Sequence, residues 1–130
     1  MERQTILLVD DDRDIRAFTK LLLEKAGYKV LTAIDGEDGL RVYLTHRATL
    51  AVLLTDVRMP KMNGVDLADR VLQLDSEFPI LLMTGDGLAA PGRYEYVAKP
   101  FAPAELVRRV GEALDASERS QGRQASAVAI

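Results

Sequence analysis

Five short apolar runs recur along the chain, and segments with helical spacing separate most of them. The runs are TILLV (5–9), KVLTAI (29–34), AVLLT (51–55), PILLM (79–83) and YEYVA (94–98). The central ones are continuous rather than alternating, the pattern of strands covered on both faces. Between them, Ile15, Phe18 and Leu22, then Leu40, Tyr43 and Leu44, then Leu67, Val71 and Leu74 repeat with helical periodicity. Leu106, Val110 and Leu114 do the same after Pro103, a residue suited to a first helical position. Gly27 suits a helix C-terminal cap, and each helix is followed quickly by the next strand. Such connections are right-handed crossovers in a parallel sheet. The expected fold is an α/β domain built on a doubly wound, five-stranded parallel sheet.

One step of the alternation is damaged. TGDGLAAPGR (84–93) holds three glycines and a proline where a fourth helix belongs, so that helix is expected to be shortened or missing. After Leu114 the sequence DASERSQGRQASAVAI loses its apolar period. The expected division is one domain over residues 1–117 and a flexible C-terminal tail over 118–130. At 130 residues and 48% hydrophobic, the sequence has material for one core and no room for a second.

Composition narrows the function. There is no cysteine, which excludes disulfides and thiolate metal sites. The 17 basic residues against 20 acidic ones form no basic block, so no direct nucleic-acid contact is expected. The apolar runs fall far short of the ~20 residues of a membrane span, and MERQT lacks the apolar region of a signal peptide. No membrane insertion and a cytoplasmic location are expected.

In an open parallel sheet the ligand site lies beyond the carboxyl ends of the strands. Asp10, Asp11 and Asp12 stand beyond the first run, Asp56 beyond the third, Thr84 beyond the fourth and Lys99 beyond the fifth. Two carboxylates ~4 Å apart repel by roughly 1 kcal/mol in water and ~4 kcal/mol at an effective dielectric of 20, so an acid cluster needs cations. Lys99 supplies one charge, and a divalent ion supplies the rest. Oxygen-only ligands favour Mg²⁺, held by Asp11 and Asp56 with Asp10 acting through water. A carboxylate so placed can attack phosphorus to give an aspartyl phosphate, with the Thr84 hydroxyl on the phosphoryl oxygens.

Taken singly, each residue has a plainer reading. Asp12 caps a helix, Lys99-Pro100 is an extended dipeptide, Thr84 is a strand former, Tyr96 packs on the sheet and His46 lies on the surface. Their combination carries the weight.

Four separated motifs fall on these strand ends: VDDD (9–12), TDVRMPKMNG (55–64), LLMTG (81–85) and YVAKPF (96–101). Through them, over about residues 5–115, the sequence resembles the receiver domain of two-component response regulators. The resemblance implies a flavodoxin-like sheet of strand order 2-1-3-4-5, a cis bond at Lys99-Pro100 and Mg²⁺ dependence. It implies Asp56 as phosphoacceptor, Asp10 and Asp11 as the metal-binding acid pair, and the Arg58 carbonyl as a further metal ligand. Thr84 is implied as the switch hydroxyl, Lys99 as the phosphate partner and Tyr96 as the switch aromatic.

The implied phosphoryl donor is a histidine kinase or histidine phosphotransfer protein, and a downstream protein target is a further partner. No enzyme activity is implied beyond Mg-dependent self-phosphorylation and autodephosphorylation at Asp56. The short fourth-helix region is similar to that of hybrid histidine kinase receivers. It leads to the expectation that residues 85–93 form a flexible loop whose ordering reads out phosphorylation. An aspartate-nucleophile phosphatase needs an acid where Arg58 stands, and a flavin module needs a phosphate loop where VDDD places anions. The remaining alternative is a phosphorylation-independent pseudo-receiver acting as a protein-interaction module.

Overall fold

A computed structural model describes residues 3–85 and 91–129, with side chains through Ser117. The chain runs β1 (Thr5–Val9), α1 (Arg13–Lys25), β2 (Lys29–Ala33), α2 (Gly36–His46), β3 (Leu50–Asp56), α3 (Gly64–Leu74), β4 (Ile80–Thr84), β5 (Glu95–Ala98) and α4 (Pro103–Ala129). The five strands form one sheet in the order β2-β1-β3-β4-β5, every neighbouring pair parallel. This is the flavodoxin-like order that the resemblance implies.

The continuous apolar runs are explained by two cores, one on each face of the sheet. Leu7, Val9, Leu53 and Leu82 point to one face, against Val42 and Tyr43 of α2 and Leu67, Ala68 and Val71 of α3. Their neighbours Ile6, Leu8, Leu54, Leu81 and Met83 point to the other, against Leu23 of α1 and Leu106, Val110 and Leu114 of α4. Successive strand residues face opposite ways, so a strand buried on both sides has no polar phase.

The buried stripe of α1 differs from the expected one. Thr19 and Leu23 are its buried residues, while Ile15 and Phe18 are 38% and 56% exposed. The helix turns Thr19 and Leu23, four residues apart, to the sheet with Leu22 partly buried beside them, and leaves Ile15 and Phe18 on the rim, beside Lys99, Pro100 and Phe101. Leu44 and Leu74, at the last turns of α2 and α3, are likewise exposed. The N-terminus of α1 follows expectation: the Asp12 carboxylate accepts from the Asp14 and Ile15 amides, both at 3.0 Å. Replacing it (Asp12→Ala) leaves those donors without their cap and is expected to cost about 1 kcal/mol in urea unfolding.

No described residue between β4 and β5 is helical. The centre of the expected loop, residues 86–90, lies outside the described residues. Where the chain resumes, Tyr94 is buried in the α2–α3 core and donates its hydroxyl to Asp69 Oδ1 of α3 at 2.6 Å. Arg93 adds two bonds to the same carboxylate at 2.9 and 3.0 Å. Burial and the Asp69 hydrogen bond push the Tyr94 hydroxyl up to about 12, while the Tyr94 hydrogen bond, followed by that of Arg93, pulls Asp69 below the usual carboxylate range. A side-chain anchor to α3 thus secures the entry to β5.

The last helix continues to Ala129. The backbone of residues 118–129, within the segment expected as a flexible tail, is helical. Apolar period reports what a helix packs against, whereas residue types such as Glu, Arg, Gln and Ala carry helix propensity of their own. Residue 130 lies outside the described residues. No helix among the described residues is long and apolar enough to cross a membrane.

Candidate functional site

Strand order 2-1-3-4-5 places β1 and β3 side by side at the centre, so the residues that follow them meet at one edge. Asp10 follows β1 and is fully buried. Its Oδ1 accepts from the Asp12 amide at 3.0 Å, and its main-chain carbonyl accepts from Arg16 Nη1 at 2.8 Å. Arg16 therefore clamps the turn that presents Asp10 and Asp11. Nothing in the motif VDDD pointed to this arginine, although its place one helical turn into α1 is the available signal.

Asp56 ends β3. Its Oδ1 accepts from the Val57 amide at 3.0 Å, which fixes the carboxylate's orientation. Lys99 reaches across from the end of β5: its Nζ lies 3.1 Å from Asp10 Oδ2 and 3.4 Å from Asp56 Oδ2. The lysine is held in turn by its own amide, which donates to the Thr84 carbonyl at 2.8 Å, and the Lys99-Pro100 bond is cis. Burial raises the Asp56 carboxyl above its ordinary range; Lys99 opposes this and Asp10 adds to it.

Asp10, Asp11 and Asp56 each bring a carboxylate oxygen within 4.8 Å of the others. Asp11 is exposed, and no hydrogen bond or ion pair ties it down among the described residues. One lysine against three carboxylates leaves the cluster with an excess of negative charge. An oxygen-only donor set with one buried, one half-buried and one open acid fits a hard divalent cation that keeps part of its water shell.

An open cavity of about 350 Å³ lies beside this cluster, lined by Asp56, Val57, Arg58, Thr84, Gly85 and Lys99. Thr84 is buried at the end of β4, and Arg58 is exposed at the mouth. The sequence-expected residues Asp10, Asp11, Asp56, Thr84, Lys99 and Arg58 thus converge on one edge. Tyr96 does not join them; it lies on β5 with 40% of its surface exposed. His46 is exposed at the end of α2, and Asp12 serves as a helix cap.

A family model described as the response regulator receiver domain matches residues 6–111. The chain belongs to the response regulator receiver family. Among curated receiver-containing proteins it is 38% identical over 121 residues to the alkaline phosphatase synthesis transcriptional regulatory protein PhoP of Bacillus subtilis, covering 87% of this chain and 49% of that protein. The chain spans about half the length of the first curated relatives it matches. Among solved receivers, a receiver domain protein of Clostridium thermocellum superposes with a TM-score of 0.82 at 30% identity, covering 88% of this chain and 97% of that one. The receiver domain of the hybrid histidine kinase CckA superposes with a TM-score of 0.75 at 29% identity, over 85% of this chain and 98% of that one.

Proposed function

We propose that this receiver takes a phosphoryl group onto Asp56 in a Mg²⁺-dependent reaction, the donor being the phosphohistidine of a histidine kinase or a histidine phosphotransfer protein. The observation that carries the reading is Lys99, whose ammonium sits between Asp10 and Asp56 at 3.1 and 3.4 Å. A cation so placed holds the nucleophile's free oxygen toward the cavity and is positioned to meet an incoming phosphoryl oxygen.

In the proposed reaction Asp56 Oδ2 forms the new P–O bond while the P–N bond of the donor histidine breaks, its electron pair returning to the imidazole. Asp56 Oδ1 stays bonded to the Val57 amide, so the attacking carboxylate does not rotate. The Lys99 ammonium and the Thr84 hydroxyl take two of the phosphoryl oxygens. Asp10, Asp11 and Asp56, with the Arg58 carbonyl, are the residues that would hold Mg²⁺. When bound, that ion supplies the positive charge that lets an anionic carboxylate approach an anionic phosphoryl group.

We assign Tyr96 as the switch aromatic: exposed on β5, it moves inward once Thr84 is drawn to the phosphoryl group. The reading extends to a cytoplasmic protein whose receiver unit ends near residue 117, with a downstream protein target that recognises the phosphorylated form. The only chemistry assigned is acquisition and hydrolysis of the group at Asp56. A phosphorylation-independent interaction module draws no support from a site where the acid cluster, lysine and hydroxyl are all present.

Incubation with acetyl phosphate and MgCl₂ tests this. Intact-mass spectrometry is expected to register one added phosphoryl group that is absent when EDTA replaces the metal. No adduct, or an adduct indifferent to EDTA, would overturn the reading.

A further inference from the structure

We infer that the first turn of α2 is the seat that fixes the loop between β3 and α3, which makes Gly36 a positioning residue for the cation and phosphoryl site. The inference rests on the proposed roles of Asp56 and Arg58.

The loop leaves the sheet at Asp56 and returns at Gly64, whose amide donates to the Val57 carbonyl at 2.8 Å. It is thus closed at its base, and its far end leans on α2. Gly36 is the first residue of that helix. A Cβ placed on it would overlap the Met62 carbonyl oxygen and lie 2.6 Å from the Met62 Cβ and 2.7 Å from its carbonyl carbon. The obstacle is main chain, which cannot swing aside as the tip of a side chain can.

The residues on either side of Gly36 meet the same stretch of loop. Lys61 Nζ lies 3.9 Å from Asp35 Oδ2 and 4.0 Å from Glu37 Oε2. Asp35 is buried and caps α2, accepting from the Asp38 amide at 2.8 Å. Lys61 itself holds a φ of 68°, a conformation a non-glycine residue keeps only where its surroundings impose it. Either ion pair alone is weak. Together with the Met62 contact they fix a loop whose other limb begins at Val57 and Arg58, the residues beside the phosphoacceptor. A shift at Met62 therefore has only Met59, Pro60 and Lys61 in which to be absorbed before it reaches the site.

Gly39 provides the comparison. It lies in the same helix, and a Cβ there meets Leu67 Cδ2 at 2.9 Å and Val9 Cγ2 at 3.1 Å, the tips of side chains rather than loop backbone. A merely structural role predicts that Gly36→Ala and Gly39→Ala behave alike. The positioning role predicts that they differ in two readouts: amide exchange at Gly64 in the metal-free protein, and calorimetric Mg²⁺ affinity. Gly36→Ala is expected to speed Gly64 exchange and to weaken Mg²⁺ binding by about tenfold each, while Gly39→Ala leaves both within about twofold.

Equal behaviour of the two variants, or no change in Gly36→Ala, overturns the inference. If Gly36→Ala does not fold, wild-type exchange decides. The Gly39 amide, which donates to the Asp35 carbonyl at 2.8 Å, and the Gly64 amide are expected to open together, with the same urea dependence; independent, faster opening at Gly64 overturns it. Wild-type protein that binds no Mg²⁺ contradicts the proposed function instead, and the exchange comparison still decides this inference.

Discussion

Asp56→Asn is expected to abolish phosphoryl uptake from acetyl phosphate and, in EDTA, to make the protein more stable than wild type. The first result follows from chemistry, since an amide has no anionic oxygen with which to attack phosphorus. The second follows from electrostatics. Burial, opposed by Lys99 and reinforced by Asp10, leaves the folded-state carboxyl above its ordinary value. A carboxyl raised on folding contributes stability below its unfolded value, and that contribution is lost as pH rises through the folded value.

The wild-type protein therefore carries an ionised, partly buried Asp56 at neutral pH as a cost that the variant does not bear. Asn keeps an oxygen for the Val57 amide. The advantage of the variant should open as pH rises through the raised Asp56 value. A midpoint difference of about 2–4 °C in thermal unfolding is the expected size. Mg²⁺ should reverse the ranking, because only the wild type gains the full set of ligands. A variant that is phosphorylated on another residue, or is less stable than wild type at every pH in EDTA, would contradict this account.

Gly64→Ala is expected to be the most damaging single-methyl change near the site. An added Cβ would overlap the Asp56 carbonyl oxygen and lie 2.9 Å from the Asp56 carbonyl carbon and 3.1 Å from the Val57 Cα. All three atoms are backbone at the end of the central strand, paired on one side with β1 and on the other with β4. To relieve the overlap, the chain must open the Gly64-to-Val57 hydrogen bond or tilt the start of α3 away from the sheet. Overpacking of this kind costs typically 1–3 kcal/mol, and the upper end, about 3 kcal/mol, is expected where nothing flexible can yield. Urea unfolding measures it. The phosphoryl uptake of whatever fraction folds should fall as well, since Asp56 and Val57 are the atoms displaced. A loss below about 0.5 kcal/mol would mean that the loop tolerates an approach the structure forbids.

The sheet was legible because both its faces are buried. A strand such as TILLV has no polar phase only when Leu7 and Val9 serve one core while Ile6 and Leu8 serve the other. The site was legible because its residues stand at strand ends, where the topology must bring them together. Period failed on α1, whose exposed apolar residues Ile15, Phe18 and Leu21 outnumber the two residues it buries. A helix pattern records apolar residues but not which of them face the sheet. It failed again past residue 117, where the helical backbone continues without an apolar period to mark it.

Three supports of the site and fold carried no motif in the sequence. The Arg16 contact to the Asp10 carbonyl, the Tyr94–Asp69 hydrogen bond that secures the entry to β5, and the closeness of Gly36 to Met62 each join segments that no motif relates. Glycine in DGEDG reads equally well as a helix start, and only the packed fold reveals that the first glycine faces another backbone.

A divalent cation completing the charge balance of Asp10, Asp11 and Asp56 is what the proposed chemistry requires. Asp11 is the clean probe, because it is exposed and bonded to no other described residue, so Asp11→Asn leaves the fold intact. Calorimetric titration of Mg²⁺ into the wild type and this variant is the most direct test. One ion per chain, bound at least about tenfold more weakly once Asp11 is neutralised, is the predicted result. No binding to the wild type, or equal binding to both, would contradict it.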